Sequence, residues 1–151
     1  MHKKINMVVL GILFCSTTAF TAPKVACPSS DFKTFFNAYA ESTDIQKAFT
    51  PKQIKYSYLE VNEGLGDYDY FSEKLTLKNS SFPLIHNRAN RIKNNLKIEI
   101  KPVKQKEYAT EQAQALVYVP DSGDFRTYWF AKTALNGTCW NLYHIESSEM
   151  R

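Results

Sequence analysis

Glycine, histidine and cysteine are all scarce in this chain, and their scarcity limits the chemistry that the chain can support. Its 151 residues include 5 glycines, 3 histidines and 3 cysteines. The sequence has no Gly-x-Ser-x-Gly turn, no phosphate-binding glycine-rich loop and no His-Glu-x-x-His pair. These are the usual sequence marks of serine hydrolases, nucleotide sites and zinc helices. The sequence therefore predicts no metal site and no cofactor, and it favours a non-enzymatic role while leaving enzymatic activity open.

Long hydrophobic runs are also lacking, apart from a short one near the start. Two lysines precede the apolar run Met7–Phe14, and a segment rich in small residues follows it. The run is too short to span a bilayer, which takes about 20 apolar residues. It has the form of a secretory signal peptide. We expect residues 1–22 to be this signal, with cleavage after Ala19 or after Ala22.

Removal of the signal leaves residues 23–151, a length suited to one domain with one core. We expect this mature chain to have no transmembrane segment and to reside in the periplasm of a bacterium or outside the cell. The signal takes two of the 19 basic residues, so 17 basic residues remain against 15 acidic ones. Because binding to phosphate backbones needs a basic surface, nucleic acid is not an expected partner.

Two cysteines remain in the mature chain, Cys27 and Cys139. Thiols in an oxidising compartment usually pair, so a disulfide between these two residues is expected. Attachment of a lipid to Cys27 is the alternative. It is disfavoured because Lys24, rather than an apolar residue, stands three positions before this cysteine.

Periodic aromatic residues predict a helix near the start of the mature chain. Ser30 or Asp31 can cap its first turn. Its aromatic residues recur at helical spacing and form one face, namely Phe32, Phe35, Phe36 and Tyr39. The sequence Thr43–Gln46 has the form of a capping box, so a second short helix should run to about Phe49. We expect the aromatic face to cover a sheet.

Alternating patterns follow and predict strands. The segments are Gln53–Val61, Tyr68–Lys78, Leu96–Lys101, Ala113–Val119, Phe125–Lys132 and Thr138–Glu146. Turn sequences at 120–123 and at Asn136–Gly137 join the last three segments into hairpins. The polar segment His86–Asn95 can form a short helix or a loop. Helices followed by strands predict an α+β fold, in which an amino-terminal helix pair packs on a curved antiparallel sheet of about five to six strands.

Four short motifs carry a family resemblance: Phe32–Phe36, Phe82–Leu84, Val119–Gly123 and Cys139–Leu142. They resemble small exported bacterial proteins of the nuclear transport factor 2-like (NTF2-like) fold whose activity is unassigned. The resemblance implies a cone-shaped domain with a long first helix, a short second helix and a strongly curved sheet. It implies no catalytic residue, because no acid, base or ligand of a known enzyme of this superfamily matches position by position.

One segment, Glu60–Phe71, combines acidic and aromatic residues. Tyrosine offers a large contact area at low entropic cost, and carboxylates attract a basic partner. The candidate partner-binding residues are Glu63, Asp67, Tyr68, Asp69, Tyr70 and Phe71. The alternative is a solvated loop whose tyrosines pack back on the domain.

A second group of residues would line a cavity if the cone is open inside. These candidates are Phe32, Phe36, Tyr56, Trp129, Trp140 and His144. His144 is also a candidate general base, with Asp69 or a tyrosine beside it. Alternation with Trp140 and Leu142 predicts that His144 points toward the covered face of the sheet, where a neutral histidine at the core edge is the commoner outcome.

Two functional hypotheses follow from these observations. The first is a non-catalytic periplasmic binding module that acts by protein contact, with an immunity or inhibitor protein as its concrete form. The alternative is a domain that binds a small apolar ligand in the cone cavity, or performs acid–base chemistry on such a ligand there.

Overall fold

The computed structural model describes residues 25–61, 68–103, 110–132 and 139–150. The expected signal lies outside this part of the chain, as does the turn expected at Asn136–Gly137. None of the described helices is both long enough and apolar enough to cross a membrane.

Helix α1 spans Phe32–Glu41 and begins as the sequence predicts. The Asp31 carboxylate accepts a hydrogen bond from the Thr34 amide (2.9 Å) and another from the Thr34 hydroxyl (2.8 Å). Asp31 thereby satisfies one of the amides that the first turn leaves free, and these bonds lower the pKa of its carboxyl.

Helix α2 spans Thr43–Ala48, but the capping box expected at its start is wrong. Ser42 is the cap, and its hydroxyl accepts a hydrogen bond from the Ile45 amide (3.4 Å). Gln46, the expected partner in the box, instead turns its side chain into the core. A local sequence pattern could not reveal this, because the groups that bind Gln46 lie almost 40 residues further along the chain.

Six strands and a third helix follow. They are β1 (Gln53–Val61), β2 (Tyr68–Thr76), α3 (Arg88–Lys93), β3 (Lys97–Val103), β4 (Gln112–Tyr118), β5 (Phe125–Lys132) and β6 (Trp140–Met150). They form one sheet in the order β2-β1-β6-β5-β4-β3. All neighbouring strands are antiparallel except β1 and β6, which run parallel. The predicted α+β fold with a helix pair on a sheet of about five to six strands is confirmed. The sheet was expected to be antiparallel, and the β1–β6 pair is the exception.

The core is an aromatic cluster between α1 and the sheet. Phe130 of β5 lies at its centre, fully buried. Its ring centroid is 5.1–5.9 Å from the centroids of four rings on α1, and these are the predicted aromatic face: Phe32, Phe35, Phe36 and Tyr39. The helix covers the sheet as expected.

The predicted disulfide between Cys27 and Cys139 is confirmed. It links the segment before α1 to the start of β6, with a Cα–Cα distance of 5.8 Å. A second bond holds the same segment, because the indole N–H of Trp140 donates to the carbonyl of Ser30 (3.0 Å). In the chain-entropy model a bridge that closes a loop of this length contributes about 5 kcal/mol to stability.

Gln46 clamps the segment between β2 and α3 onto the helices. Its side chain is 1% exposed. Its amide donates to the Ile85 carbonyl (2.8 Å), and its side-chain oxygen accepts from the Leu84 amide (2.7 Å) and the Ile85 amide (3.3 Å). From the sheet, the Tyr128 hydroxyl donates to the Leu84 carbonyl (2.7 Å). This irregular segment therefore has its buried backbone groups satisfied by side chains.

Replacement of Gln46 by leucine, which keeps the volume and removes the polar groups, should lower the free energy of unfolding by about 2–4 kcal/mol. The substitution leaves the Leu84 amide and a buried carbonyl without this partner, and each such group costs about 1–3 kcal/mol. Urea unfolding of Gln46→Leu measures the effect. Lys47→Leu, at the exposed next position, is the control, and equal midpoints for the two variants would contradict the clamp.

Candidate functional site

Two large aromatic side chains stand exposed next to each other on β2, the last strand at one edge of the sheet. Tyr70 is 58% exposed and Phe71 is 44% exposed. Because consecutive residues of a strand point to opposite faces, Phe71 lies on the helix-bearing face and Tyr70 on the helix-free face. Tyr58 lies opposite Phe71 on β1. We call Tyr58, Tyr70 and Phe71 the edge patch.

The edge patch is anchored in the core through a row of stacked rings. Tyr58 and Phe71 have ring centroids 6.3 Å apart with planes inclined by 29°. Tyr56 and Tyr58 repeat this arrangement at 5.9 Å and 28°. Tyr56 is buried, so the row runs from the core to the exposed edge. This stacking limits the freedom of the rings before any partner arrives.

The structure gives a mixed outcome for the acidic and aromatic candidates. Tyr70 and Phe71 belong to a strand rather than to a loop and are exposed, and the Phe71 ring stacks on that of Tyr58. Tyr68 and Asp69 belong to the same strand, and their side chains lie outside the described part of the structure. Glu63 and Asp67 lie outside the described residues. Tyr58 was not among the site residues predicted from the sequence, although its alternation with Tyr56 places both side chains on the same face of the sheet.

His144 lies on the face of the sheet opposite to the one predicted. Phe130 pairs with Leu142, whereas Trp129 pairs with His144, so Tyr143 is an extra residue in β6. Such a bulge reverses the alternation of side chains. His144 and Trp129 therefore share the helix-free face, while Leu142 and Trp140 point into the core.

A row of hydrogen-bonded side chains crosses the helix-free face. The Ser57 hydroxyl lies 2.9 Å from Nε2 of His144 and 2.7 Å from the Ser72 hydroxyl. The imidazole lies nearly parallel to the Trp129 indole, with centroids 6.1 Å apart. The indole N–H of Trp129 is buried, with no hydrogen-bond partner within the described part of the chain.

The imidazole of His144 is neutral at neutral pH. Burial, together with the nearby positive charge of Lys55, lowers the pKa of His144 from 6.5 to about 4. A base this weak removes few protons from a substrate at pH 7, because general bases work best with a pKa near the operating pH. Within the described ranges no three His, Cys, Asp or Glu side chains are grouped so that they could hold a metal ion.

The six cavity candidates do not line one common space. Phe36 and Tyr56 are buried in the core, and Trp129 and His144 lie on the helix-free face. Phe32 and Trp140 do border a cavity of about 440 Å³ between the start of α1 and the β3–β4 pair. Its other apolar walls come from Ile100, Pro102, Val103 and Ala113.

A crystal structure of an NTF2-like protein from Bacteroides fragilis is similar to this chain, with 14% sequence identity and a TM-score of 0.48. The similarity covers 79% of this chain and 47% of that one, so this chain spans about half the length of its relative. No family model and no curated protein matches. The order of helices and strands in this chain is that of the α+β fold expected from the sequence.

The lowered pKa of His144 predicts how stability depends on pH. Between pH 6.5 and 4 the unfolded state binds a proton that the folded state excludes, so the free energy of unfolding falls as the pH is lowered. The loss is smaller than the shift alone suggests because His144 is only partly buried and solvent screens its charge. His144→Gln, which keeps a polar group beside Ser57, should flatten the profile in this window.

Thermal unfolding of both proteins at pH 7, 6, 5 and 4.5 measures this difference. Carboxyl groups also titrate at the acidic end, but they are common to both proteins. Parallel profiles for the wild type and His144→Gln would show that His144 titrates at its ordinary pKa.

Proposed function

We propose that this chain is a non-catalytic binding module that acts by contact with a protein partner, and that the edge patch is its contact surface. The observation that carries the proposal is the exposure of Tyr70 and Phe71 on the two faces of one edge strand, where the Tyr58 ring stacks on Phe71 and extends its aromatic surface. Exposed single hydrophobic residues are common, but contiguous aromatic surface such as that of Phe71 and Tyr58 is typical of interaction sites.

The edge patch has the composition and rigidity of an interface centre. Tyrosine and phenylalanine are enriched at the centres of protein interfaces, where truncation of a few such residues removes most of the affinity. The stacking of Tyr56, Tyr58 and Phe71 holds the rings in place, which reduces the entropy lost on binding.

The charge around the edge patch indicates a basic partner. In the sequence, five acidic residues flank the aromatic pair: Glu60, Glu63, Asp67, Asp69 and Glu73. Acidic residues around an aromatic centre speed association with a basic surface and disfavour acidic proteins. An immunity or inhibitor protein that blocks a basic toxin or enzyme in the periplasm is the concrete form that we propose.

Truncation of the aromatic pair in Tyr70→Ala/Phe71→Ala should weaken binding of the partner at least about tenfold, since truncation of central interface residues typically costs 2 kcal/mol or more. The immobilised mature chain first captures proteins from a periplasmic extract of the source bacterium. Mass spectrometry identifies them, and calorimetry with the purified partner then gives Kd for each variant.

Ile92→Ala is the matched control. Ile92 is the most exposed of the large hydrophobic side chains described, at 69%, and it lies on α3 away from the edge patch. Loss of a surface aliphatic group alone should leave Kd unchanged. Equal Kd values for the wild type and Tyr70→Ala/Phe71→Ala would exclude the edge patch as the contact surface.

The 440 Å³ cavity supports a second candidate function, the binding of a small apolar ligand. Its volume lies within the range of small-molecule sites, and Phe32 and Trp140 give it aromatic walls. Lys33, Asp31 and Glu111 stand among its polar lining residues, so a ligand with one polar end fits the site best.

Filling this cavity tests the second candidate. The dye 1-anilinonaphthalene-8-sulfonate, which is apolar with one charged end, should bind the wild type with increased fluorescence. Val103→Trp places a large side chain in the cavity and should reduce that binding at least fivefold. Thr76→Trp, at an exposed position on β2, is the control, and equal dye binding by both variants would exclude the cavity.

A further inference from the structure

We propose that two copies of this chain pair through their β2 strands, antiparallel and centred on Ser72, so that the two sheets join into one. This inference does not depend on the proposed function, because strand pairing uses the outward backbone groups of β2, whereas the side chains of Tyr70 and Phe71 stand on the two faces of the sheet. Within the described residues β2 pairs with β1 alone, and all nine of its residues are in register without a bulge. The outer side of such a strand presents backbone donors and acceptors in the spacing that another strand requires.

The pairing of β2 with β1 shows which backbone groups point outward. The Leu77 amide donates to the Lys52 carbonyl (2.8 Å), one position beyond the end of the ladder. Hydrogen-bonded and non-hydrogen-bonded pairs alternate along antiparallel strands, so the odd-numbered residues of β2 bond to β1. The amides and carbonyls of Tyr70, Ser72 and Lys74 therefore point away from β1, toward the place that β2 of a second copy would occupy.

Symmetry and overlap select the register. A two-fold axis perpendicular to the sheet keeps each face continuous. Since paired residues point to the same face, the axis must lie midway between one residue of β2 and its own copy. Ser72 is the midpoint of Tyr68–Thr76. A register centred there pairs the whole length of β2 with its copy, and any other centre leaves part of the strand unpaired.

The charges on β2 favour the same register. A centre at Glu73 or at Lys74 would place that residue opposite its own copy, and like charges directly opposite each other are destabilising. A centre at Phe71 would set the acidic position 69 opposite Glu73. In the register centred on Ser72, Tyr70 lies opposite Lys74 and forms a cation–aromatic pair with it, and Phe71 lies opposite Glu73.

The other edge of the sheet is protected against this kind of pairing. β3 contains Pro102, which has no amide hydrogen to donate. Its exposed residues Lys97, Glu99 and Lys101 alternate in charge, and Lys101 forms an ion pair with Glu99 (3.2 Å). Lysine and proline are the usual means of blocking an edge strand. β2 carries one lysine, Lys74, and no proline, so the two edges differ in the presence of proline.

Light scattering on the mature chain at increasing concentration tests the proposal. The average mass should rise toward twice that of the monomer. Ser72→Pro removes an outward amide hydrogen that β1 does not use, so it should fold yet remain monomeric at every concentration. Ser72→Ala is the matched control and should dimerise like the wild type. Circular dichroism confirms that both variants fold.

A cross-link gives a second measurement that does not depend on the folding of Ser72→Pro. Residues directly opposite each other in a hydrogen-bonded antiparallel pair have Cα atoms about 5.5 Å apart, within the range of a disulfide. Ser72→Cys should therefore form a covalent dimer under mild oxidation at least tenfold faster than Ser80→Cys, an exposed control. A mass that stays monomeric at all concentrations, or equal cross-linking rates for the two cysteine variants, would overturn the proposal.

Discussion

The packing of α1 against Phe130 is the interaction on which the rest of the structure depends. Phe130 contacts all four aromatic residues of the predicted helix face, and tilted or edge-to-face geometry relates the rings. Since burial of each large apolar side chain contributes about 1.5–3 kcal/mol, this one cluster supplies a large share of the driving force for folding. The disulfide and the Trp140 indole then hold the start of α1 in place on the sheet.

This filled core determines where binding can occur. The aromatic rings that could have lined an interior space instead pack on one another, so the candidate surfaces lie at the periphery of the domain. One is the cavity at the start of α1, and the other is the edge patch, where the sheet extends beyond the aromatic cluster. Tyr56 connects the core to the edge patch, because it is buried at one end of the stacked row that reaches Phe71.

The bulge at Tyr143 changes which face of the sheet the residues of β6 point to. Before the bulge, Trp140 and Leu142 point into the core. After the bulge, His144 lies with Ser57 and Trp129 on the helix-free face. This placement accounts for the low pKa of His144, because the histidine is partly buried near Lys55 and its Nε2 lies within hydrogen-bond distance of the Ser57 hydroxyl rather than of a carboxylate. The arrangement stabilises a neutral imidazole and leaves it a weak base.

Local periodicity by itself determined α1, α2, the strands and the helix face that is buried, because each depends on neighbouring residues. The pairing of Cys27 with Cys139 followed from there being two cysteines after the expected signal, whereas composition left the segment that forms α3 open between a helix and a loop. Tertiary structure alone decided three other features: the orientation of His144, the partners of Gln46 and the exposure of Phe71. A one-residue bulge reverses alternation without leaving a mark in composition. Gln46 binds groups far along the chain, and a side chain on the helix-bearing face is exposed wherever no other element covers it.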